Sequence, residues 1–259
     1  MSESLFIAVD IGNTNVTYGV FAGDEIVRMT RVPVEAMRLR TGAAVDLASA
    51  GSAAAAGSSS EGLAAVSSVN PSVTDAVVRA LEPAWGERLL VVRRNLPLDV
   101  PLAVVEPDKV GADRVLGALA AHKRAGGAAI VCDVGSAVTV DAIDADGVFQ
   151  GGFIYPGPDL GGWALSERTA ALPRVQPDPS APVPGRNTEE AIGGGLYRGT
   201  LGAVREMAAA LREAMGAGVP VYLTGGGSRR FAGALAADGW EHAPALVLEG
   251  LRHLALRKR

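Results

Sequence analysis

Cysteine and histidine are scarce in this sequence of 259 residues. It contains one cysteine, Cys132, so no disulfide can form within a single chain. One cysteine and three widely spaced histidines also argue against a structural zinc site, which takes closely spaced Cys and His ligands. Because Cys132 lies inside an apolar run, we expect it to be a core side chain rather than a nucleophile.

Long apolar runs and an excess of positive charge are also missing. No run of about 18 apolar residues occurs, so the sequence predicts no membrane span. The first ten residues, MSESLFIAVD, lack the basic start of a signal peptide. The formal net charge is −4 and the pI about 5.5, which offers no broad positive surface to nucleic acid. We therefore expect a cytoplasmic protein with neither a nucleic acid nor a membrane as partner.

The composition is that of a folded globular chain with many tight turns. Hydrophobic residues make up 48% and charged residues 20%, and there are 33 glycines. The length suits one large domain or two modest ones. Two familiar nucleotide-binding motifs are absent: no Gly-Lys dipeptide occurs, which excludes a P-loop, and no G-x-G-x-x-G is present.

A strand-and-turn pattern occurs twice, 123 residues apart. Leu5–Asp10 has the pattern of a buried strand, is followed by Ile-Gly, and the chain then continues as an alternating strand. Ala128–Asp133 has the same buried-strand pattern, is followed by Val-Gly, and is also continued by an alternating strand. Two matched occurrences predict a duplicated fold, with halves at 1–122 and 123–259. We expect each half to run strand, turn, strand, strand and then helices.

The remaining pattern supplies the other elements of the two halves. Apolar spacing and turn residues predict strands at 64–68, 89–92, 148–155 and 219–223, and helices at 74–81, 110–123, 164–171, 187–215 and 229–237. Two further segments, 156–162 and 172–186, are rich in proline and are predicted loops. Residues 48–60 are Ala, Gly and Ser alone, which indicates a spacer.

Three turns have the composition of phosphate-binding or nucleotide-binding loops. They are Asp10–Asn15, Asp133–Asp141 and Thr224–Ser228. Glycine lets backbone N–H groups approach phosphate oxygens, and Asp10 would hold Mg²⁺ directly or through water. Two matched turns could contact one phosphate chain, and the third suits adenosine or its phosphates. The alternatives are an ordinary polar hairpin turn and a glycine-rich helix start.

Seven motifs together resemble the type III pantothenate kinases, in the order that family has them and over nearly the whole chain. They are DIGNTN (10–15), VGADR (110–114), DVGSAVTVD (133–141), GGFIYPG (151–157), LPRV (172–175), NTEEAIGGG (187–195) and LTGGG (223–227). The resemblance implies an α/β protein with the duplicated actin-like (ribonuclease H-like) ATPase fold. Its two similar halves would have mixed sheets flanked by helices.

The same resemblance implies an activity and a set of site residues. The activity is ATP-dependent phosphorylation of pantothenate, the first step of coenzyme A synthesis. The implied ATP contacts are Asp10, Ile11, Gly12, Asn13, Thr14, Asn15, Val16, Thr17 and Ser136. The implied pantothenate contacts are Gly111, Ala112, Asp113, Arg114 and Thr188. Asp133 would hold K⁺ or NH₄⁺, and the protein would be a homodimer with its substrate site near the subunit interface.

Residue chemistry is compatible with these roles. Asp113 could be the base that accepts the proton of the attacking hydroxyl, and Arg114 could pair with the pantothenate carboxylate or a phosphate. Thr188, at a predicted helix start, could bind an anionic substrate. Without the motif context, Asp113 and Arg114 would instead be a surface ion pair, and Thr188 the first residue of a capped helix.

Glycine spacing in the long predicted helix is a further feature with functional implications. A helix that carries so many glycines is weakened unless another backbone packs closely against it. We therefore predict a helix–helix contact there, at the dimer interface. The glycines are Gly193, Gly194, Gly195, Gly199 and Gly202.

Several positions depart from the family pattern and leave two rival functions open. Ser136 and Val138 stand where relatives often have threonine, and Val104 stands where a tyrosine commonly contacts pantothenate. Residues 48–60 replace a more charged helical segment. One rival is a non-catalytic regulatory relative; the other is a kinase or phosphohydrolase for a different small molecule. The joint presence of the acids and Arg114 disfavours the first, and VGADR disfavours the second.

Overall fold

The structure, a computed structural model, describes residues 5–38 and 62–258. The predicted spacer at 48–60 therefore lies outside the described residues. Within these ranges no helix is long and apolar enough to cross a bilayer. The strands are β1 (Leu5–Ile11), β2 (Asn15–Ala22), β3 (Glu25–Pro33), β4 (Leu63–Ser68), β5 (Leu89–Val91), β6 (Ala129–Val134), β7 (Ala137–Ile143), β8 (Phe149–Pro156), β9 (Val221–Thr224) and β10 (Glu241–His242). The α-helices are α1 (Val34–Arg38), α2 (Pro71–Trp85), α3 (Ala112–Ala125), α4 (Pro158–Arg168), α5 (Thr188–Met215), α6 (Arg229–Ala236) and α7 (Leu246–Leu256).

The two sheets have the same topology. One has the order β3-β2-β1-β4-β5 and the other β8-β7-β6-β9-β10. In each, the first three strands are antiparallel and the fourth pairs in parallel with the first. The two sheets therefore repeat the same strand order and pairing, as the duplication predicted from two Asp-x-Gly turns requires. The predicted α/β fold class with two mixed sheets is confirmed.

The first compact unit contains the first sheet. Of the described residues, it comprises 5–38, 62–100, 106–120 and 245–258. Helix α2 covers one face of the sheet, where its apolar side chains pack against those of β1 and β4. The side chain of Phe21, on the opposite face, lies under the guanidinium of Arg252 in α7. Helix α7 thus packs on the sheet of the first half, although it is the last helix of the chain.

The second compact unit contains the second sheet. It comprises residues 101–105 and 121–244. Helices α5 and α6 cover one face of this sheet, and the rings of Tyr197 and Phe231 stack between them with centroids 5.1 Å apart. Cys132 lies in this core with no exposed surface, and burial raises the pKa of its thiol, as expected for a core side chain.

The unit boundaries differ from the predicted halves in two respects: residues 101–105 cluster with the second unit and residues 245–259 with the first. The chain passes from the first unit to the second at residues 120 and 121, close to the predicted division at 122. Residues 245–259, which the sequence assigns to the second half, cluster with the first unit. The reason is packing: Gly250 of α7 lies so close to α3 that a Cβ there would overlap the carbonyl oxygen of Leu116.

Two element predictions are wrong. Helix α4 begins at Pro158, inside the predicted loop 156–162, and ends at Arg168 rather than at 171. Proline is compatible with a first helical turn because its missing N–H would have no partner there. The sequence pattern also gave no prediction for α7, although its buried residues recur with helical spacing.

Candidate active site

Asp10, at the end of β1, lies between two hydroxyl-bearing neighbours. Thr17 is its partner on the antiparallel strand β2, and Ser67 is its partner on the parallel strand β4. Side chains at paired positions lie on the same face of a sheet. Ser67 is fully buried, and its Oγ atom has no hydrogen-bond partner. Buried polar groups in folded proteins are nearly always hydrogen-bonded, so the unsatisfied hydroxyl in register with Asp10 needs an explanation, and a ligand bound there would give it a partner.

The turn after Asp10 is held by backbone contacts from both sides. The N–H of Gly12 donates to the carbonyl of Asn15 at 2.9 Å, and the N–H of Val34 donates to the carbonyl of Thr14 at 2.8 Å. The side chain of Asn70 reaches the carbonyl of Gly12 at 3.4 Å. The turn is therefore fixed.

The residues implied as ATP contacts in this turn differ in exposure, and Asp10, Gly12, Asn15 and Thr17 are half-buried. Asn13 and Thr14 are exposed at its tip. Ile11 and Val16 have no exposed surface and belong to the core against α2. Those two residues can contribute backbone groups to a nucleotide, but their side chains cannot.

The VGADR motif lies next to this turn within the first unit. The N–H of Val69, just after β4, donates to the carbonyl of Ile11 at 3.0 Å. The side chain of Val69 also lies 3.7 Å from the position of a Cβ on Gly111. One residue thus contacts both the end of β1 and the beginning of the VGADR segment, which brings the implied phosphate turn and the implied substrate motif together.

Asp113 lies in the first turn of α3 and is partly buried. Its Oδ1 accepts a hydrogen bond from the backbone N–H of Arg114 at 2.9 Å. Burial raises the pKa of the Asp113 carboxyl, and the hydrogen bond and charge of Arg114 only partly oppose that effect. A carboxylate with a raised pKa is a stronger base than an exposed one, so the environment suits proton acceptance.

Gly111 and Ala112 support Asp113 in different ways. A Cβ on Gly111 would overlap the Oδ1 atom of Asp113, so only glycine leaves that carboxylate in place. The Ala112 side chain is buried and can offer a ligand only its backbone.

Asp133, in the second unit, repeats the arrangement of Asp10. It pairs with Thr139 on the antiparallel strand β7 and with Thr224 on the parallel strand β9. Thr224 is buried, like Ser67 in the first unit. Each acid is therefore flanked by two hydroxyl-bearing residues in register.

The glycine-rich loop after β9 packs directly on Asp133. Gly225 has a φ of 95°, a conformation that favours glycine, and a Cβ there would overlap the Asp133 Oδ1 atom. The N–H of Gly227 donates to the carbonyl of Val134 at 2.7 Å. The third predicted loop thus lies beside the second acid.

Ser228 ends this loop in a buried hydrogen-bonded position. Its hydroxyl donates to the carbonyl of Gly225 at 2.7 Å, and its Oγ atom lies 2.9 Å from the Nε2 atom of His242. Because the hydroxyl has one proton, His242 is the donor in the second contact. His242 had no predicted role.

Ser136 is exposed in the two-residue turn between β6 and β7. Its carbonyl accepts from the N–H of Gly157 at 3.2 Å. A Cβ on Gly157 would overlap the carbonyl oxygens of Gly135 and Ser136. The GGFIYPG motif therefore ends in close backbone contact with the turn.

Thr188 is exposed at the first position of α5, as predicted. The side chain of Asn187 caps the helix by accepting from the Glu190 N–H at 2.9 Å, and the Glu190 carboxylate accepts from the Arg186 N–H at 2.7 Å. This reciprocal pair fixes the helix start. Thr188 also lines a mainly apolar cavity of about 520 Å³ between α4 and α5.

Among the described residues of one chain, the glycines of α5 make no close helix–helix contact, and the contact predicted for them at a dimer interface stays a prediction. Gly193 and Gly194 pack against the loop before the helix, at Asp178 and Ala181 respectively. The other three, Gly195, Gly199 and Gly202, face open space among the described residues. The helices α4 and α5 do touch, but the small residues are Gly161 and Gly162 of α4, which accommodate Leu196 of α5.

Val104 packs against β8 of the second sheet. A Cβ on Gly151 would lie 3.4 Å from a Val104 methyl carbon, and the neighbouring Ala103 N–H donates to the carbonyl of Phe149 at 2.9 Å. Val105, the next residue, is 99% exposed.

No group of three or more His, Cys, Asp or Glu side chains that could hold a metal ion occurs in residues 5–38 and 62–258. A cation bound by Asp10 or Asp133 would therefore take most of its ligands from elsewhere. Hydroxyls, carbonyls, water and a phosphate-bearing substrate are the available oxygen donors.

Sequence reasoning missed the end of β4. Ser67 and Ser68 end a buried strand that pairs in parallel with β1, and Asn70 follows it. The carboxyl ends of parallel strands lie at the same edge of a sheet, so polar residues at such an end were a usable signal. Arg93 and His242 gave no sequence signal, because Arg93 bonds distant backbone carbonyls and His242 bonds the side chain of Ser228.

Comparison with known proteins gives one consistent family. The sequence profile of the type III pantothenate kinase family matches residues 6–210. A type III pantothenate kinase of Dehalococcoides mccartyi is 34% identical over 258 residues, and the match covers 97% of each chain. One from Acidiphilium cryptum is 33% identical over 255 residues, covering 97% of this chain and 94% of that one. One from Halorhodospira halophila is 40% identical over 175 residues, covering 67% and 68%.

Solved structures with a similar fold are more distant in sequence. Component A of the (R)-2-hydroxyglutaryl-CoA dehydratase of Acidaminococcus fermentans has a TM-score of 0.53 at 14% identity, covering 98% of this chain and 97% of that one. MreB5 of Spiroplasma citri has a TM-score of 0.50 at 12% identity, covering 100% and 98%. At these identities the likeness concerns the fold, and it confirms the actin-like ATPase fold that the sequence predicts.

Proposed function

The chain belongs to the type III pantothenate kinase family, and we propose that it transfers the γ-phosphoryl group of ATP to the primary hydroxyl of pantothenate. The product would be 4'-phosphopantothenate, the first intermediate of coenzyme A synthesis. One observation of the structure carries this proposal: Val69 contacts both the end of β1 at Ile11 and the VGADR segment at Gly111. The proposed phosphate-binding turn and the candidate base are thus neighbours within the first unit.

Asp113 is the proposed general base. As the pantothenate hydroxyl oxygen forms a bond to the γ-phosphorus, the bond from that phosphorus to the β,γ-bridging oxygen breaks and ADP leaves. The Asp113 carboxylate accepts the hydroxyl proton and later releases it to water. The raised pKa of Asp113 favours proton acceptance, and Gly111 leaves room for its carboxylate.

Arg114 and Thr188 are the proposed anion-binding groups for pantothenate. A guanidinium binds a carboxylate with two parallel hydrogen bonds, which gives orientation as well as charge neutralisation. Thr188 lies at a capped helix N-terminus, where backbone N–H groups and the helix dipole favour a negative group. Orientation matters here because phosphoryl transfer depends mainly on positioning and charge neutralisation.

The proposed ATP contacts are the turn from Asp10 to Thr17 and Ser136. Asn13 and Thr14 are exposed at the tip of their turn and Ser136 in its own, so backbone and hydroxyl donors are accessible to phosphate oxygens. Ile11 and Val16 would contribute through the backbone alone. The loop from Thr224 to Ser228 is proposed to bind adenosine or its phosphates.

Asp10 is the proposed Mg²⁺ ligand, directly or through water. The residues present suit this ion, because the Asp10 carboxylate lies in register with the buried and unsatisfied hydroxyl of Ser67. Mg²⁺ is usually bound through one or two carboxylates, water and substrate phosphates. When bound, it would neutralise negative charge on the phosphates.

Asp133 is the proposed ligand of K⁺ or NH₄⁺. The close packing of Gly225 and the carbonyl of Val134 puts backbone oxygens near this carboxylate, which suits a weakly charged cation. Turnover in KCl and in choline chloride at equal ionic strength tests the assignment. Clearly higher turnover in KCl supports it, and equal turnover in both salts removes it.

A homodimer is the proposed assembly. Strand β8 is the last strand of its sheet in the described ranges, and Ile154 on it is 67% exposed. Phe153, Tyr155 and Trp163 are each about two-fifths exposed, and the cavity between α4 and α5 is open beside Gly199. A large apolar surface of this kind usually marks an interface, and we assign it to a second copy of the chain.

An ATP-consumption assay over several acceptors tests the proposed function. The acceptors are pantothenate, simple sugars and acetate, each with and without K⁺. Of these acceptors, we expect only pantothenate to raise ATP consumption above the background rate. Consumption with another acceptor only would favour the kinase for a different small molecule, an alternative that Val104 in place of the usual tyrosine supports. No consumption with any acceptor would favour the regulatory relative.

A further inference from the structure

The side chain of Arg93, in the loop after β5, is bonded to three backbone carbonyls of a distant segment. Its Nη1 atom donates to the carbonyl of Asp108 at 3.1 Å. Its Nη2 atom donates to the carbonyl of Val110 at 2.7 Å and lies 3.5 Å from that of Pro107. The guanidinium therefore spans the whole turn that precedes the VGADR motif.

The backbone of Arg93 is held in an unfavourable conformation. Its φ is 64°, and it is the only residue other than glycine with a positive φ in residues 5–38 and 62–258. This left-handed conformation is unfavourable for an L-residue because its Cβ comes too close to the backbone. The Arg93 N–H donates to the carbonyl of Leu96 at 2.8 Å, and the Asn95 side chain bonds the backbone at Leu89 and Val91. The loop around Arg93 is thus rigid, which allows its side chain to fix something else.

What Arg93 fixes is the peptide that leads into the site. The carbonyl of Val110 and the N–H of Gly111 belong to one planar peptide group. A short hydrogen bond to that carbonyl sets the plane, and with it the entry of the chain into α3. Gly111 in turn packs against the carboxylate of Asp113.

We propose that Arg93 is a positioning residue for pantothenate phosphorylation, acting through the Pro107–Val110 turn on Gly111 and Asp113. The inference rests on the proposed function, and it assigns Arg93 to the pantothenate side of the reaction rather than to the ATP side. Arginine is required because a planar fork of donors can bridge several carbonyls at once. The single ammonium group of lysine cannot.

Three variants separate the side chain of Arg93 from its backbone and from its neighbourhood. Arg93→Gly removes the guanidinium and relieves the unfavourable φ, so the loop itself is retained. Arg93→Lys keeps the charge without the fork. Arg94→Ala is the matched control, because Arg94 is the adjacent arginine and forms only an exposed ion pair with Asp75 at 2.6 Å.

Steady-state kinetics give the first readout. For Arg93→Gly we expect kcat/KM for pantothenate to fall on the order of 10- to 100-fold, since a small misplacement of reacting groups is costly. The KM for ATP and the melting temperature should stay at wild-type values. Arg93→Lys should recover part of the loss, and Arg94→Ala should show none. Equal losses for both substrates, or unchanged kinetics in Arg93→Gly, would overturn the inference.

Hydrogen–deuterium exchange of the peptide covering residues 106–114 gives the second readout, and it needs no turnover. Exchange there should be faster in Arg93→Gly than in wild type and unchanged in Arg94→Ala. Unchanged exchange in Arg93→Gly overturns the inference even if the kinase is active. If wild type fails to phosphorylate pantothenate, the proposed function fails, and faster exchange still supports the structural role of Arg93.

Discussion

Asp113 is the residue on which the proposed chemistry depends most. Asp113→Asn keeps the size of the side chain and an oxygen that can accept from the Arg114 N–H, but it cannot take up a proton at neutral pH. Removal of a general base typically costs about 10²–10⁴-fold in rate, and a loose transition state puts the loss near the lower end. Turnover at saturating pantothenate and ATP affinity by calorimetry measure the two sides separately. If the variant turns over at a rate close to that of wild type, Asp113 is not the general base. If the folded variant no longer binds ATP, Asp113 belongs to the nucleotide site instead.

The raised pKa of Asp113 also fixes the direction of two pH effects. Only the ionised form can act as a base, so kcat should fall as the pH drops through a pKa above the ordinary aspartate value. The effect on folding has the opposite sign. A carboxyl whose folded-state pKa is raised contributes stability below its unfolded pKa and loses it as pH rises through the folded pKa. Asp113→Asn should therefore have a melting temperature at neutral pH no lower than that of wild type. A clearly lower melting temperature would argue that burying the ionised Asp113 carboxylate does not destabilise the folded protein.

Val104 is the residue whose identity bears on substrate affinity. If its side chain replaces a tyrosine that contacts pantothenate, Val104→Tyr should lower the Michaelis constant for pantothenate. A regained hydrogen bond is worth about 1 kcal/mol, which is several-fold in affinity. Because Val104 packs near Gly151, the larger ring must move outward to fit. An unchanged or raised constant would mean that this loop binds the acceptor differently.

At the scale of elements, helices α7 and α3 of the first unit approach each other closely at Gly250. A Cβ on Gly250 would overlap the Leu116 carbonyl oxygen and lie 3.0 Å from its Cα atom. Gly250→Ala should therefore lower the free energy of unfolding by about 1–3 kcal/mol, as other overpacked sites do. Urea denaturation monitors the change.

A second glycine gives the matched control for that prediction. Gly233 is an exposed position of α6 with nothing within 4 Å of a Cβ. Gly233→Ala should raise stability by about 1 kcal/mol through helix propensity alone. Equal effects of the two substitutions would contradict the packing argument, since both replace a helical glycine.

The elements that the sequence predicted best are those whose pattern is local. The buried strands before Asp10 and Asp133 and the capped start of α5 at Asn187 all follow from neighbouring residues. The contact made by α7 depends on a partner helix far away in sequence, so no local pattern could predict it. The packing of Gly193 could not be predicted for the same reason, since its neighbours belong to an irregular loop.

The candidate site shows the same division between local and long-range information. Asp113 and Asp133 could be predicted as site residues because each lies in a short sequence motif. The repeated flanking of Asp10 and Asp133 by hydroxyl-bearing residues required strand pairing, and Ser67 was missed for that reason. Arg93 acts on a turn through backbone carbonyls, which no residue type in the turn reveals.

At the scale of the whole molecule, the proposed homodimer predicts a mass of twice the 26.4 kDa of one chain. Gly199→Trp should shift the protein towards monomer, because position 199 is open in one chain and lines the cavity on the proposed interface. Gly233→Trp, on an exposed helix position away from that cavity, is the control. Sedimentation velocity distinguishes the species. A monomeric wild type, or a dimer insensitive to Gly199→Trp, would contradict the interface assignment.

The most direct test of the central claim is identification of the product by mass spectrometry. Purified protein is incubated with ATP, Mg²⁺, K⁺ and pantothenate, and the acceptor is analysed beside an Asp113→Asn sample. We predict that wild type converts pantothenate to a species carrying one added phosphoryl group on its primary hydroxyl, with one ADP formed per product, and that Asp113→Asn forms it far more slowly. If folded wild-type protein leaves pantothenate unmodified under these conditions, the account is contradicted.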